Sequence, residues 1–279
     1  MSFTNFPGIA TCEEQDAFDR HLASCTVPIV QERGDVADVL GTSTFFRFSG
    51  RSFLVTASHV FKGFDPNGVG VPVRSKQHGH VFLTLNGCKL HRPSQEEVDA
   101  AIIEVGDPEL LKALQNTYSP LCLSDLARHG EAFPAYIIAG YPREVAAKSA
   151  GAIFPRAIKI TSTEYQGRTD GERDATRDFF LCYARDGFAP DGTTQASVPL
   201  HGVSGASVWG VRTHMPQDSV WHAGMVLAVV GIQVACKPSS YIRALRWQAV
   251  AQVFRRIDTE LGQLLLDQLD VRVTEQDAT

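Results

Sequence analysis

The stretch HGVSGAS, residues 201–207, sets Ser204 between glycines and other small residues. Two upstream residues have the types that would make this serine a nucleophile. His59 follows the apolar run SFLVTAS, and Asp99 opens the apolar run DAAIIEV. A serine hydroxyl is a poor nucleophile at neutral pH unless an adjacent imidazole takes its proton during attack. That imidazole in turn needs a carboxylate on its other ring nitrogen to fix its tautomer. Charge developing on an attacked carbonyl oxygen needs N–H donors, each worth roughly 2.7–4 kcal/mol when removed singly. The backbone of Gly202 and Ser204 supplies two such donors if the turn curls correctly, and glycine at 202 and 205 makes unusual dihedrals cheap. His59, Asp99 and Ser204 are therefore the candidate base, orienting acid and nucleophile, with Gly202 and Ser204 as the candidate oxyanion hole. A carboxylate at the lip of a buried strand needs a partner, because desolvating it alone costs several kcal/mol. Asp125 and Glu104 also lie near strand ends and stay open as alternatives for the acid.

These residues need elements to hold them. TVPIVQERG, STFFRFSG, SFLVTASHV, HVFLTLNG and DAAIIEVG are short, rich in β-branched and aromatic residues, and punctuated by Gly, Asn or Asp. Such texture predicts strands of an all-β sandwich or barrel, with FSGRSF as a tight hairpin turn. LCLSDLARHGEA, residues 121–132, reads as a connector. A second set follows: AYIIAGYP, AIKITSTEY, DFFLCYARDG, SGASVWGV and VLAVVGIQVAC, with polar insertions at 165–178 and 211–222. Residues 12–24 carry early acids and helical spacing, which predicts a short N-terminal helix. IRALRWQAVAQVFRRIDTELGQLLLDQL has apolar residues three and four apart and no proline, which predicts a helix with a break at Gly262. The expected organisation is an extension over 1–26, a first β-barrel over 27–128 carrying His and Asp, a second over 129–245 carrying Ser, and a C-terminal helix and tail over 246–279.

The chain has 279 residues, 44% apolar and 20% charged, and a net charge of −5. Lys and Arg are scattered, so no nucleic-acid surface is expected. The N-terminus lacks a basic start followed by an apolar run, and GMVLAVVGIQVAC is too short for the ~20 residues of a membrane helix. Six cysteines without a C-x-x-C pair read as reduced thiols, and a cytoplasmic protein is expected.

LVTASHV, DAAIIEV, and GVSGAS followed by VVGIQVA resemble the trypsin/chymotrypsin-like serine protease superfamily, closest to its intracellular bacterial trypsin-like peptidase domain members. GTSTFFRF before the histidine strand and AGYP opening the second half add to the resemblance, which covers roughly residues 27–250. It implies an all-β fold of two antiparallel six-stranded barrels, with His59 as general base, Asp99 as its orienter, Ser204 as nucleophile, and Gly202 with Ser204 as oxyanion hole. It further implies that GIQVAC, with Gln233, Val234 and Ala235, pairs with substrate backbone and lines the pocket for the residue before the scissile bond. Val198 stands where trypsin has an aspartate, so Arg or Lys specificity is not expected. Gln233 stands where some viral and glutamate-specific relatives have a pocket histidine, and a neutral pocket is expected. His201 flanks the oxyanion glycine, as a substrate neighbour or as a plain surface histidine. Val203 replaces the aspartate that pairs with a cleaved N-terminus in secreted members, and Val60 replaces a cysteine. Both departures imply a site formed without N-terminal processing, in a reducing compartment.

The expected function is a serine endopeptidase of non-tryptic specificity acting on protein or peptide substrates, without metal, cofactor, nucleic acid or membrane. Two alternatives stay open. One is a protease-fold peptide-binding module without turnover. The other is a protease held inactive until a partner or ligand orders its loops, as in stress or defence systems. An ester hydrolase is a third possibility. A metal site at His78, His80 and His91 lacks a matched carboxylate or cysteine, and an α/β-hydrolase is a poor fit because Ala206 stands where its elbow motif needs glycine.

Overall fold

The computed structural model describes residues 12–33, 36–63, 68–75, 79–93, 98–128, 130–145, 147–149, 152–170, 174–188, 193–212 and 221–270. Helix α1 (Cys12–Cys25) runs directly into strand β1 (Thr26–Arg33), followed by β2 (Val36–Phe48), β3 (Arg51–Thr56), β4 (Val69–Ser75), β5 (Gly79–Thr84), β6 (Lys89–His91) and β7 (Ala101–Glu104). These strands form one antiparallel sheet in the order β5-β4-β1-β2-β3-β7-β6, curled into a half-barrel. Ser49 and Gly50, between β2 and β3, both have positive φ (48° and 77°). A two-residue turn of that hand matches the right-handed twist of the strands it joins, so FSGRSF is the hairpin its sequence predicts.

After α2 (Pro108–Thr117) the second set begins with β8 (Ala135–Gly140), the ribbon β9 (Ala147–Ser149) and β10 (Ala152–Phe154), and β11 (Ile158–Ser162). Then come β12 (Asp178–Cys182), the ribbon β13 (Asp186–Phe188) and β14 (Thr194–Ala196), β15 (Ser207–Val211), the single-turn α3 (Ala223–Val226), β16 (Leu227–Lys237) and β17 (Tyr241–Arg246). The second antiparallel sheet has the order β11-β8-β15-β16-β17-β12 and is also curled into a half-barrel. The mostly-β, two-sheet architecture is as the sequence predicts, with one difference in number. The first sheet has seven strands rather than six, because the three-residue β6 adds an edge beside β7.

One apolar cluster spans both sheets, joining Phe45, Phe46, Phe53 and Ile102 of the first to Ile137, Trp209 and Val229 of the second. A smaller cluster inside the second half-barrel holds Ile138, Leu181, Leu200, Val203, Val208 and Ala244. Helix α4 (Trp247–Ile257) leaves the second sheet and buries Trp247 and Phe254 against the first. Its rings meet Phe46 at 5.0 Å and Phe53 at 5.1 Å, both edge to face, the arrangement aromatic quadrupoles prefer.

Two expectations need correction, and two elements are additional. Residues 242–246 are strand, not helix, because Ile242, Ala244 and Leu245 pair with β16 on one side and the edge strand β12 on the other. Tertiary pairing there overrides a helical spacing. The break in the C-terminal helix falls at Asp258 rather than Gly262: Asp258 is extended (φ −151°, ψ 109°), and its carboxylate accepts the N–H of Leu261 at 3.1 Å, starting α5 (Thr259–Asp270). Helix α2 was not expected, although Asp107 and Pro108 are strong start signals and the Asp107 side chain accepts the Leu110 N–H at 2.7 Å. Strand β4 was also not anticipated. Among the described residues no helix is long and apolar enough to cross a membrane.

Gly262 lies inside α5 at its contact with α4, where a Cβ would collide with the backbone of Arg255. Replacing glycine by alanine in an exposed helix gains about 1 kcal/mol. Here overpacking outweighs that gain, and Gly262→Ala is expected to lower stability by a net ~1–2 kcal/mol in urea denaturation. An increase in stability would show that α4 and α5 can separate freely.

Candidate active site

His59 and Asp99 are brought together by strand register. Thr56 at the end of β3 pairs with Ala101 at the start of β7, so the residues just beyond one strand face those just before the other. Beyond Thr56 the chain makes a 3₁₀ turn, Ser58–Phe61, anchored by buried Val60 and Phe61. The Asp99 carboxylate closes the start of this turn. Its Oδ1 accepts the backbone N–H of His59 at 2.9 Å, while its Oδ2 lies 2.6 Å from His59 Nδ1. The acceptor-only carboxylate places the proton on Nδ1 and leaves Nε2 as a lone-pair acceptor when the ring is neutral.

Burial opposes the charge on Asp99 and pushes its pKa up. The opposing terms together win: the hydrogen bond and charge of His59, with the backbone N–H groups of His59 and Ser58, hold the carboxyl below its ordinary value. Neither sequence alternative for this acid contacts His59. Asp125 accepts the N–H of Cys122 at 2.7 Å, and Glu104 is held by Arg51 at 2.9 Å.

Ser204 belongs to a tight turn at residues 201–205 that enters β15. Gly202 and Gly205 have φ of +91° and +90°, a region that side chains with a Cβ avoid. Close approach adds a second constraint. A Cβ on Gly205 would strike Thr56 Oγ1 and lie 2.7 Å from Ala57 N, so the residue after Ser204 packs directly on the segment leading to His59. Val203 N–H bonds Leu200 O at 3.0 Å and Ala206 N–H bonds Val203 O at 2.9 Å. Among the described residues the N–H groups of Gly202 and Ser204 have no hydrogen-bond partner. The Ser204 hydroxyl and His59 Nε2 likewise make no hydrogen bond among them, with each other or with anything else.

Thr42 of β2 holds this turn. Its N–H donates to Ser204 O at 2.9 Å, and its hydroxyl donates to Gly202 O at 2.8 Å while accepting the Tyr141 N–H at 3.0 Å. Its own carbonyl accepts from Thr56 Oγ1 at 2.7 Å. Arg143 adds a second hold, its N–H donating to His201 O at 2.8 Å and its guanidinium pairing with Asp38 at 2.9 Å. Sequence reasoning missed both residues. The signal for Thr42 was a run of hydroxyl side chains, Thr42, Ser43 and Thr44, inside a strand otherwise built for a core, where all three are fully buried.

The other candidate residues divide by position. Gln233 is bonded to the Ser204 turn through its backbone, accepting Gly205 N–H at 2.7 Å and donating to Ala206 O at 2.8 Å. Val234 sits at a bulge in the β16 register, and Ala235 is exposed. From Gln233 onward β16 has no β15 register partner and pairs only with β17. Val198 is half-buried, its carbonyl accepting from Tyr183 Oη at 2.7 Å. Burial, with Cys236 and Glu144 nearby, pushes Tyr183 up to about 12. His201 is exposed, and Val203 is fully buried among apolar neighbours.

Among the described residues no group of three or more His, Cys, Asp or Glu side chains is placed to hold a metal ion. His78 lies outside the described residues, as do parts of the 165–178 and 211–222 insertions and the tail beyond residue 270. Among the described residues Cys25, Cys88, Cys122, Cys182 and Cys236 are free. Burial pushes Cys25 up to about 12 and Cys88 up to about 11, so neither is an activated thiol.

No protein-family model matches the sequence. No curated protein matches it either. Among solved structures the chain is similar to one described as "Aromatic interactions drive the coupled folding and binding of the intrinsically disordered Sesbania mosaic virus VPg protein", at 15% identity and a TM-score of 0.45, covering 81% of this chain and 87% of that one. A likeness this distant has no bearing on activity.

Two outcomes follow from the geometry. Thr42→Val keeps the shape but strips Gly202 O and Tyr141 N of a buried partner, and is expected to cost about 2–4 kcal/mol in urea denaturation. A loss of only a few tenths would show that the hydroxyl does not hold the turn. Asp99 contributes stability that is present above the ordinary carboxylate pKa and lost as pH falls through its lowered folded value. Asp99→Asn should therefore lower the denaturation midpoint at neutral pH, with the gap from wild type closing in acid. A gap that stays constant with pH would remove the carboxylate's charge from the account.

Proposed function

We propose that the chain is a serine endopeptidase of the trypsin/chymotrypsin-like kind, acting through an acyl-enzyme. The observation that carries this reading is the double grip of Asp99 on His59, next to a Ser204 turn whose Gly205 packs against Thr56 and Ala57. In the proposed reaction Ser204 Oγ attacks the scissile carbonyl carbon while its proton passes to His59 Nε2. Asp99 keeps the ring in the required tautomer and offsets the imidazolium charge. The free N–H groups of Gly202 and Ser204 receive the developing oxyanion. The C–N bond then breaks, His59 returns the proton to the leaving amine, and the acyl group remains on Ser204. A water activated by His59 hydrolyses that ester, freeing the acid product and restoring the hydroxyl.

Substrate backbone would add as a strand along β16 beyond Gln233, where one side of the strand is free of β15. Main-chain pairing of that kind gives affinity with little dependence on sequence. Val203 supports a site formed without N-terminal processing, since a fully buried valine cannot take an ion pair with a new amino terminus. The unpaired cysteines fit a reducing, cytoplasmic setting.

A fluorophosphonate probe should label the wild-type chain at Ser204, and labelling should fall at least ~100-fold in Ser204→Ala and in His59→Ala. A folded wild type that takes no label would overturn an active site formed by the chain alone.

A further inference from the structure

Helix α1 meets the rest of the fold through a histidine whose inner nitrogen has nothing to bond. The His21 ring packs edge to face on fully buried Trp209 of β15, with centroids 5.5 Å apart. Its Nε2 is enclosed without a hydrogen-bond partner among the described residues. Phe18 lies three residues earlier, on the same helix face, and packs against Trp221 at 5.9 Å. Gly224 of α3 lies against the His21 ring. A Cβ there would stand 3.5 Å from His21 Cε1 and 3.3 Å from His222 Nδ1. Two imidazoles thus converge over one glycine, where α1 touches α3.

The elements packed around the ring decide what a proton on it would meet. Strand β15 presents the uncharged indole of Trp209. Exposed His222, at the start of α3, repels a second imidazolium when it carries a proton itself. The 3₁₀ turn Leu123–Asp125 presents the half-buried Asp125 carboxylate, whose charge favours a protonated ring. That carboxylate is engaged with the Cys122 N–H at 2.7 Å and makes no bond to His21 Nε2. On α1 itself Asp19 pairs with Lys159 of β11, and Arg20 is exposed. Cys25 is buried and stays neutral, pushed up to about 12. Burial pushes the His21 pKa down, Asp125 pushes it up and His222 pushes it down; the net direction is below the ordinary 6.5. A neutral ring leaves one nitrogen unpaired. A charged ring would bury a cation and a donor without an acceptor, which costs more.

We propose that His21 is a pH-sensitive latch: α1 packs against α3 and β15 with the ring neutral, and protonation of the ring loosens the helix. A released ring takes up its proton near the ordinary value, and the docked ring only at lower pH. Docking is therefore strongest above the ordinary value, weakens as pH falls through it, and levels off below the docked value. Helix α1 runs into β1 without a loop. Thr26 Oγ1 donates to Leu22 O at 2.7 Å, and Thr26 O accepts Tyr141 Oη at 3.3 Å. Loosening thus reaches the start of β1 and the Tyr141 that Thr42 holds. The latch is independent of the activity proposed above.

The test is amide hydrogen exchange along α1 from about pH 8 to about pH 5, corrected at each pH for the chemical exchange rate. The opening constant of α1 should stay flat above neutrality and rise by up to about tenfold per pH unit below about 6.5. Amides of β2 and β15 should not follow. His21→Phe keeps a ring against Trp209 and cannot titrate, so its α1 should open to the same extent throughout. His222→Gln, at an exposed position, should keep the wild-type rise. A His21→Phe chain that retains the rise, or strands that open in step with α1, would overturn the latch. An NMR titration of the wild-type His21 ring gives a reading that needs no variant: titration at or above the ordinary value would overturn it as well.

Discussion

The hydrogen bonds around Thr42 are the constraint on which the candidate site depends. One residue of the first sheet contacts Ser204 and Gly202 of the glycine-flanked turn, Tyr141 just beyond β8, and Thr56 at the end of β3. Ser204 comes from one sheet and His59 from the other, so their relative placement depends on whatever fixes the two sheets together at this point. Apolar contact alone is non-directional and would allow sliding. Hydrogen bonds with defined geometry inside a dry interface would not, because each displacement strands a buried partner.

A similar economy holds at His59. The Asp99 carboxylate closes the first turn after β3 and orients the ring of the same residue whose N–H it accepts. Position and tautomer are thereby set by one group. The β3–β7 register brings the pair together, and it is buried except at half-buried Glu104. Asp99 resists desolvation through the donors it collects, and those donors are the reason a charge is stable at the lip of an apolar strand.

The candidate residues stand out in the sequence because their surroundings are local. His59, Asp99 and Ser204 each sit where an apolar run begins or ends, and Gly202 and Gly205 mark backbone that only glycine adopts easily. The strands were legible for the same reason, from alternation and turn residues. What was not legible depends on partners distant in sequence. Thr42 looks like any strand threonine until Gly202 and Tyr141 are placed beside it. Residues 242–246 carry helical spacing, and only pairing on both sides, with β16 and β12, makes them a strand. The break at Asp258 instead of Gly262 has the same origin, since Gly262 is small to let α5 approach Arg255 rather than to end a helix. Helix α2 differs, because its Asp-Pro start is a local signal, set among strand signals on either side.

The path of α4 has a consequence for how the molecule is made. Trp247 and Phe254 complete the core of the first sheet, yet they are synthesised after both sheets. Until they emerge, Phe46, Phe48 and Phe53 lack the rings that cover them. A nascent chain with every strand already present therefore has an unfinished first half, and the His59–Asp99 corner rests on an incomplete core. Synthesis order thus delays completion of the first half, and of the support beneath the His59–Asp99 corner, until the last helices have emerged.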